Sequence, residues 1–434
     1  METHSTLSEA RRLHQAGRLG EAAPLYRAVL DAEPGNADAL HLLGVLMTQI
    51  GEFREAVRCL EQAVANGPER AVYLASLAQA LYRAGREADA AAVLERLVRL
   101  RPDSVDAFSD LGAVRQELGD LDGAVEAYNR ALALSPGFAR GHFNLGTALK
   151  RRGELGAATA SLRRAIDLQP GEASYHATLA GYLLECDRPE AALAASDGCL
   201  AIAPRNLLAL SFKAIALERL GRYDEARRLV DLEQMIRRRD VEPPAGYESL
   251  AHFNACLEDE ILGHPTLSAE PARNATRFGR HTAQLLDNPS RAVAELGRLC
   301  SNAVAEYLNA LPRVPGHPYL GHRPQGWKLF MWGVVMESQG HQLAHTHPDG
   351  WVSGVYYVKL PQVVHGESRD HAGWIEFGRP HAELTGPLEP RVQTICPREG
   401  MLVLFPSHVY HRTVPYQSDE HRISIAFDAA PRFA

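Results

Sequence analysis

A period of 34 residues governs the first half of the 434-residue chain. Prolines fall at Pro34, Pro68, Pro102, Pro136, Pro170 and Pro204, each a multiple of 34. Alanines recur with the same spacing at Ala22, Ala56, Ala90, Ala124, Ala158, Ala192 and Ala226. Glycines do so at Gly17, Gly51, Gly85, Gly119, Gly153 and Gly221, with Asp187 filling the one gap. Each residue type suits a helix pair. The glycine opens the turn between two helices, where positive φ is expected. The alanine lies where the helices approach closely. The proline starts the link to the next unit, because it cannot continue a helix. Seven such units follow one another without insertion or deletion, the last lacking its proline.

This pattern, with Leu-Gly pairs at Leu43-Gly44, Leu111-Gly112 and Leu145-Gly146, is the signature of tetratricopeptide (TPR) repeats. The resemblance implies an all-α, right-handed superhelix over residues 1–240. Its concave groove would bind a peptide or protein. No ladder of asparagines or basic clamp marks the groove; Asn144 is a lone candidate. Arg237-Arg238-Arg239 reads as a solvated helix end, stopped by the acidic and proline-rich stretch from Asp240 to Pro244.

Composition narrows the remaining choices. At this length two domains are expected. The net charge of −7 implies no polyanionic partner, so nucleic acid is not expected. No apolar run approaches the roughly 20 residues a membrane helix needs, and the first residues lack the layout of a signal peptide. The six cysteines include no C-x-x-C pair, which predicts reduced thiols and a cytoplasmic protein. No phosphate-binding glycine motif follows a strand, so nucleotide chemistry has no support.

Beyond the boundary at Glu242–Gly246, residues 247–263 and 290–310 have helical spacing and are expected to buttress a sheet. Residues 263–280 read as an irregular loop near the site. From about 325 the pattern changes to short strands rich in Val, Tyr and Phe: 327–336, 351–360, 373–377, 391–396, 400–406 and 422–428. Six can be named, where a double-stranded β-helix of the jelly-roll or cupin type needs about eight. Between the first two strands, nine residues hold His341, His345, His347 and Asp349. Residues two apart share a face of a strand, so His345 and His347 would point together, and Asp349 with them if the strand ran on. Imidazoles beside a carboxylate suit iron, zinc or copper. His411 follows the strand at 400–406, and Arg422 opens the last strand.

The ordered set H-x-(acid or His), distant His, then Arg resembles the Fe(II)/2-oxoglutarate oxygenases. The match is nearest to a bacterial group of such enzymes, carried by His345-x-His347-Pro348, Ser353-Gly354-x-Tyr356-Tyr357 and Leu404-Phe405-Pro406-Ser407-x-x-x-His411. It is also similar to the aspartyl/asparaginyl β-hydroxylases, where TPR repeats precede the oxygenase domain and the ligand motif runs H-T-G-P. That resemblance implies Fe(II) held by His411 and two proximal ligands, either His345 with His347 or His347 with Asp349. It implies 2-oxoglutarate as cosubstrate, gripped by Arg422 with Ser424 and either Tyr357 or Tyr356, and no catalytic residue beyond the metal ligands. His341 reads as structural. Trp332, Trp351 and Trp374 are candidates for the pocket lining, with core packing as the alternative.

The expected layout is therefore a TPR superhelix over 1–240 and an oxygenase domain over 241–434, with a helical lead-in to 324 and a β-core from 325. The expected function is hydroxylation of a peptide or protein recruited by the repeats. Two other readings compete: a TPR scaffold with a degenerate β-domain, and a three-histidine thiol dioxygenase that consumes no 2-oxoglutarate.

Overall fold

The computed structural model describes residues 2–269, 275–364, 370–387 and 389–433. Helices fill the first half in seven antiparallel pairs. They run from Glu2–Gln15 with Leu19–Ala32 to Leu207–Arg219 with Tyr223–Leu229. The seven periodic alanines are at most 1% exposed, as the close approach of paired helices requires. Gly44 shows how tight that approach is: a Cβ there would lie 2.5 Å from Leu60 Cγ. All six periodic glycines have positive φ, and Asp187 adopts the same left-handed conformation at φ 55. An aspartate tolerates that region better than most residues. Asn36, Ser104 and Asn206 cap their helices by accepting from the backbone N–H three residues on.

Contacts divide the chain into two compact units, Met1–Pro170 and Gly171–Ala434. Five repeats form the first. The sixth and seventh belong with the β-domain. The unit that holds the β-domain thus begins well before residue 241, the boundary expected from composition. Ser211 of the last full helix donates to the carbonyl of His408 at 2.6 Å. Glu218 pairs with Arg391 at 3.2 Å.

Ten strands follow among the described residues: β1 (Arg237–Asp240), β2 (Ser268–Ala269), β3 (Thr276–His281), β4 (Gly326–Gln342), β5 (Val352–Lys359), β6 (Ile375–Phe377), β7 (Gln393–Ile395), β8 (Met401–Pro406), β9 (His411–Thr413) and β10 (Arg422–Arg432). Seven make an antiparallel sheet in the order β1-β8-β5-β10-β4-β3-β2, and three make a second sheet, β7-β6-β9. The domain is antiparallel and of the double-stranded β-helix type.

Two expectations need correction. Arg237-Arg238-Arg239 is an edge strand paired with β8, where a helix end was expected. Its side chains are exposed, and a row of charge at an edge blocks pairing with another chain. Residues 263–280, read as irregular, carry β2 and β3 of the main sheet, although 270–274 lie outside the described residues. The β-core therefore starts before residue 325. Short, polar strands such as these carry little apolar alternation, which is why the sequence pattern hides them.

Alternation along β10 sorts its residues onto two faces. Ile423, Ile425 and Phe427 are fully buried and pack with Phe253, Leu257 and Ile261 of the Leu250–Leu262 helix. Val293, Leu296, Cys300 and Val304 of the Arg291–Ala310 helix join the same core. These are the expected buttressing helices. Each fully buried side chain of this size contributes about 1.5–3 kcal/mol. The opposite face of β10 presents Arg422, Ser424 and Ala426 to a cavity, with Asp428 next along the same face.

Candidate metal centre

The three histidines converge without the continuous strand expected for them. β4 ends at Gln342, and a turn runs through Pro348 and Asp349. Two sets of backbone bonds hold the segment instead. His345 and His411 exchange N–H···O bonds at 3.1 Å each, and His347 N donates to the carbonyl of Ser407 at 2.8 Å. The loop after β4 is thereby laced to the loop before β9. The ring centroids of His345 and His411 lie 4.2 Å apart, and those of His347 lie 5.0 and 5.1 Å from them. One nitrogen from each ring falls within 4.8 Å of the others.

Each ring is oriented by its second nitrogen. Nδ1 of His345 lies 2.8 Å from the carbonyl of Leu343, and Nδ1 of His411 lies 3.2 Å from that of Val409. Nδ1 of His347 lies 2.8 Å from Oδ2 of Asp428. Carbonyls and carboxylates only accept, so the Nδ1 atoms carry the protons and the Nε2 lone pairs are left for a metal. Desolvation, reinforced by the neighbouring His347, holds His345 down at about 4. Burial, with His345 and His347 beside it, keeps His411 well below the ordinary imidazole value. Both are therefore neutral at neutral pH, the form that binds a metal. Asp349 sits on the exposed turn and is outside the cluster. His341 lies on β4 opposite Arg277, with Nδ1 3.1 Å from the carbonyl of Gln339, and stays apart from the three.

The cavity beside the histidines has a volume of about 220 Å³. Arg422, Ser424 and Tyr357 line it, as does Trp332, whose ring stacks on His347 with centroids 5.9 Å apart. Arg422 is 2% exposed and donates through Nη1 to the carbonyl of Gly373. Among the described residues its Nε has no partner, and neither has the buried hydroxyl of Tyr357. Burial pushes that hydroxyl up to about 12 against the opposing pull of Arg422, so it is a donor at neutral pH. A buried guanidinium and a phenol with unused hydrogen-bonding capacity form a cradle for a carboxylate. No ion pair with Asp419 or Glu420 competes for Arg422; Glu420 accepts from the backbone N–H of Gln362.

Tyr356 faces the other way and donates to Asn254 at 2.6 Å, so Tyr357 is the tyrosine of the pair at the site. Trp351 stacks on Tyr319 in the core, and Trp374 stacks on His371; neither lines the cavity. Sequence reasoning missed Asp428 and the wall built by β3. Thr276 and His281 of that strand line the cavity with Gln342. Thr276 Oγ1 lies 2.8 Å from His281 Nε2 and 3.3 Å from Gln342 Nε2. The alternation R-I-S-I-A-F-D was a usable signal for Asp428, since it shares a face with Arg422. Nothing comparable marked β3.

Residues 330–428 match the family described as "Putative 2OG-Fe(II) oxygenase". Residues 25–141 match the cytochrome c-type biogenesis protein H TPR domain, and 110–173, 3–28 and 207–231 match tetratricopeptide repeat families. No curated protein matches the chain. Among solved structures, MamA is 26% identical over 40% of this chain and 94% of its own, with a TM-score of 0.37. YrrB, described as a TPR protein with an unusual peptide-binding site, is 24% identical over 38% of this chain and 85% of its own, at 0.36. A thermophilic TPR protein of Thermus thermophilus is 23% identical over 42% and 99%, at 0.34. The chain therefore joins an N-terminal series of TPR repeats to a C-terminal domain of the 2OG-Fe(II) oxygenase family.

Proposed function

We propose that the chain is an Fe(II)- and 2-oxoglutarate-dependent dioxygenase that hydroxylates a peptide or protein. The observation that carries this reading is the convergence of three imidazoles, each with a nitrogen free to face an ion, beside a buried Arg422 whose Nε has no partner among the described residues. His345, His347 and His411 would hold the ion, and three nitrogens on one side leave room for cosubstrate and oxygen. Asp349 is not needed. When bound, the ferrous ion and 2-oxoglutarate supply oxygen activation, with succinate and CO2 as coproducts of substrate hydroxylation.

The chain's own residues do the binding and orienting. Arg422 would grip the far carboxylate of 2-oxoglutarate, with the Tyr357 and Ser424 hydroxyls as further donors from the same wall. The carbonyls of Leu343 and Val409 keep two imidazoles turned inward. Trp332 lies nearly parallel to the His347 ring, 5.9 Å between centroids, and forms part of the cavity wall beside it. Three histidines fill the protein's share of ligand positions, so a halide finds no vacated protein site. This favours hydroxylation over halogenation.

A peptide substrate is supported by the TPR repeats, a module that presents grooves to peptides. YrrB, one of the similar proteins, is described as binding a peptide. The reduced-thiol composition supports a cytoplasmic setting.

The test is anaerobic addition of Fe(II) and 2-oxoglutarate. A metal-to-ligand absorption band and retained iron are expected, followed by succinate on admitting oxygen. Absence of both band and iron retires the reading. The all-histidine donor set also suits a thiol dioxygenase. Oxygen uptake driven by a small thiol, with 2-oxoglutarate unconsumed, would establish that reading in its place.

A further inference from the structure

We propose that Asp428 is the carboxylate of this metal centre, set one layer outside the ligands and acting through His347. The inference rests on the metal reading above. Asp428 lies on the cavity face of β10 with Arg422, and its Oδ2 is 2.8 Å from His347 Nδ1. The pair is shielded, with side chains 14% and 17% exposed.

The other two histidines lean on neutral backbone carbonyls; His347 alone leans on an anion. That carboxylate fixes the proton on Nδ1, aims Nε2 inward and makes the ring a stronger donor. In a two-histidine-one-carboxylate site the anion touches the metal. Here its charge reaches the metal through one ring.

Asp428 is itself held. Its Oδ1 lies 2.5 Å from Ser353 Oγ, which lies 2.8 Å from Ser407 Oγ. Ser353 has one hydroxyl proton, so it donates to Asp428 and accepts from Ser407. Ser407 also accepts the backbone N–H of His347 through its carbonyl and opens the loop that carries His411. The relay thus ties both ligand segments to β10. Gly350 leaves it room: a Cβ there would lie 2.5 Å from Ser407 Oγ and 3.3 Å from Asp428 Oδ1.

The experiment measures Co(II) binding by the full-length chain, by chelator competition and by the visible spectrum at saturating metal. In Asp428→Asn the amide can rotate to donate to a bare Nδ1, so the tautomer is no longer fixed. Its affinity is expected to fall about 10–100-fold, with a shifted spectrum at saturation. Asp349→Asn should match the wild type in both. A role confined to folding would lower apo-protein stability and leave the saturated spectrum unchanged. Ser353→Ala, which keeps Asp428 and removes its donor, guards against a variant that fails to fold; it should lose affinity by a smaller factor and shift the spectrum the same way. Wild-type affinity and spectrum in Asp428→Asn, or in Ser353→Ala where the first does not fold, overturn the inference. A wild-type chain that binds no Co(II) overturns the metal reading, and this inference with it.

Discussion

The guanidinium of Arg422 lies over the ring of Tyr357, 5.3 Å from its centroid, on the cavity wall where β10 and β5 pair. Among the described residues, neither the Arg422 Nε nor the Tyr357 hydroxyl has a hydrogen-bond partner. Hydrogen bonds to a charged partner contribute about 1.5–3 kcal/mol each, which is roughly a 10–100-fold effect on binding. Arg422→Ala should weaken 2-oxoglutarate by at least that factor. Arg422→Lys should recover only part, because an ammonium lacks the planar fork. Tyr357→Phe should cost less than either. Titration of the absorption band with 2-oxoglutarate reads all three, and an unchanged midpoint in Arg422→Ala would remove Arg422 from the cosubstrate site.

The ligand trio makes a second prediction, which decides between the two sets left open by the motif. His345→Ala and His411→Ala should each abolish iron retention after desalting, whereas Asp349→Ala should retain wild-type iron. Iron content by atomic absorption settles this. Loss in Asp349→Ala with retention in His345→Ala would restore the two-His-one-Asp set.

A third prediction concerns pH. His281 and His345 are held at about 4 and His408 at about 3, with burial the leading cause in each, and His411 is lowered well below the ordinary value. The unfolded chain binds protons at these positions from about pH 6.5 downward, and the folded chain does not. Folding stability is therefore complete above about 6.5 and falls as pH drops toward 4. The urea midpoint of the β-domain transition should be lower at pH 5 than at pH 7.5. An equal or higher midpoint at pH 5 would contradict the burial of neutral imidazoles.

Domain limits give the fourth. A chain of residues 171–434 should fold cooperatively and bind metal, because it keeps the helix that docks on His408 and the strand β1 on β8. A chain of 241–434 removes β1 together with Met235 and Ile236, each buried in a different hydrophobic cluster of this unit. It also strips Tyr307 of its acceptor, the carbonyl of Met235 at 2.7 Å. It should be insoluble or molten by near-ultraviolet circular dichroism. Equal thermal stability of the two chains would place the boundary back at 240.

Much of this was legible in the chain. The repeats were, because a helix pair that cannot bury its face alone imposes the same few small residues every 34 positions, down to Asp187 in a glycine's place. The apolar strands β4, β5, β8 and β10 were, because they are runs rich in β-branched, aromatic and other apolar residues. The edge strands β1 and β2 and their neighbour β3 were not, since these short strands are polar and carry little apolar alternation.

By itself, then, the sequence determined the helix pairs, the order of the buried strands and the residue types a metal and a dicarboxylate would need. Local periodicity and side-chain chemistry are properties of neighbours in the chain. Which ligands meet was decided only by tertiary structure. His345 faces His411 through a backbone bridge across 66 residues, Asp349 is turned to solvent by two residues of loop, and Asp428 reaches His347 across 81 residues. Those outcomes depend on how β4, β8 and β10 register in one sheet, and no local pattern records register between strands so far apart.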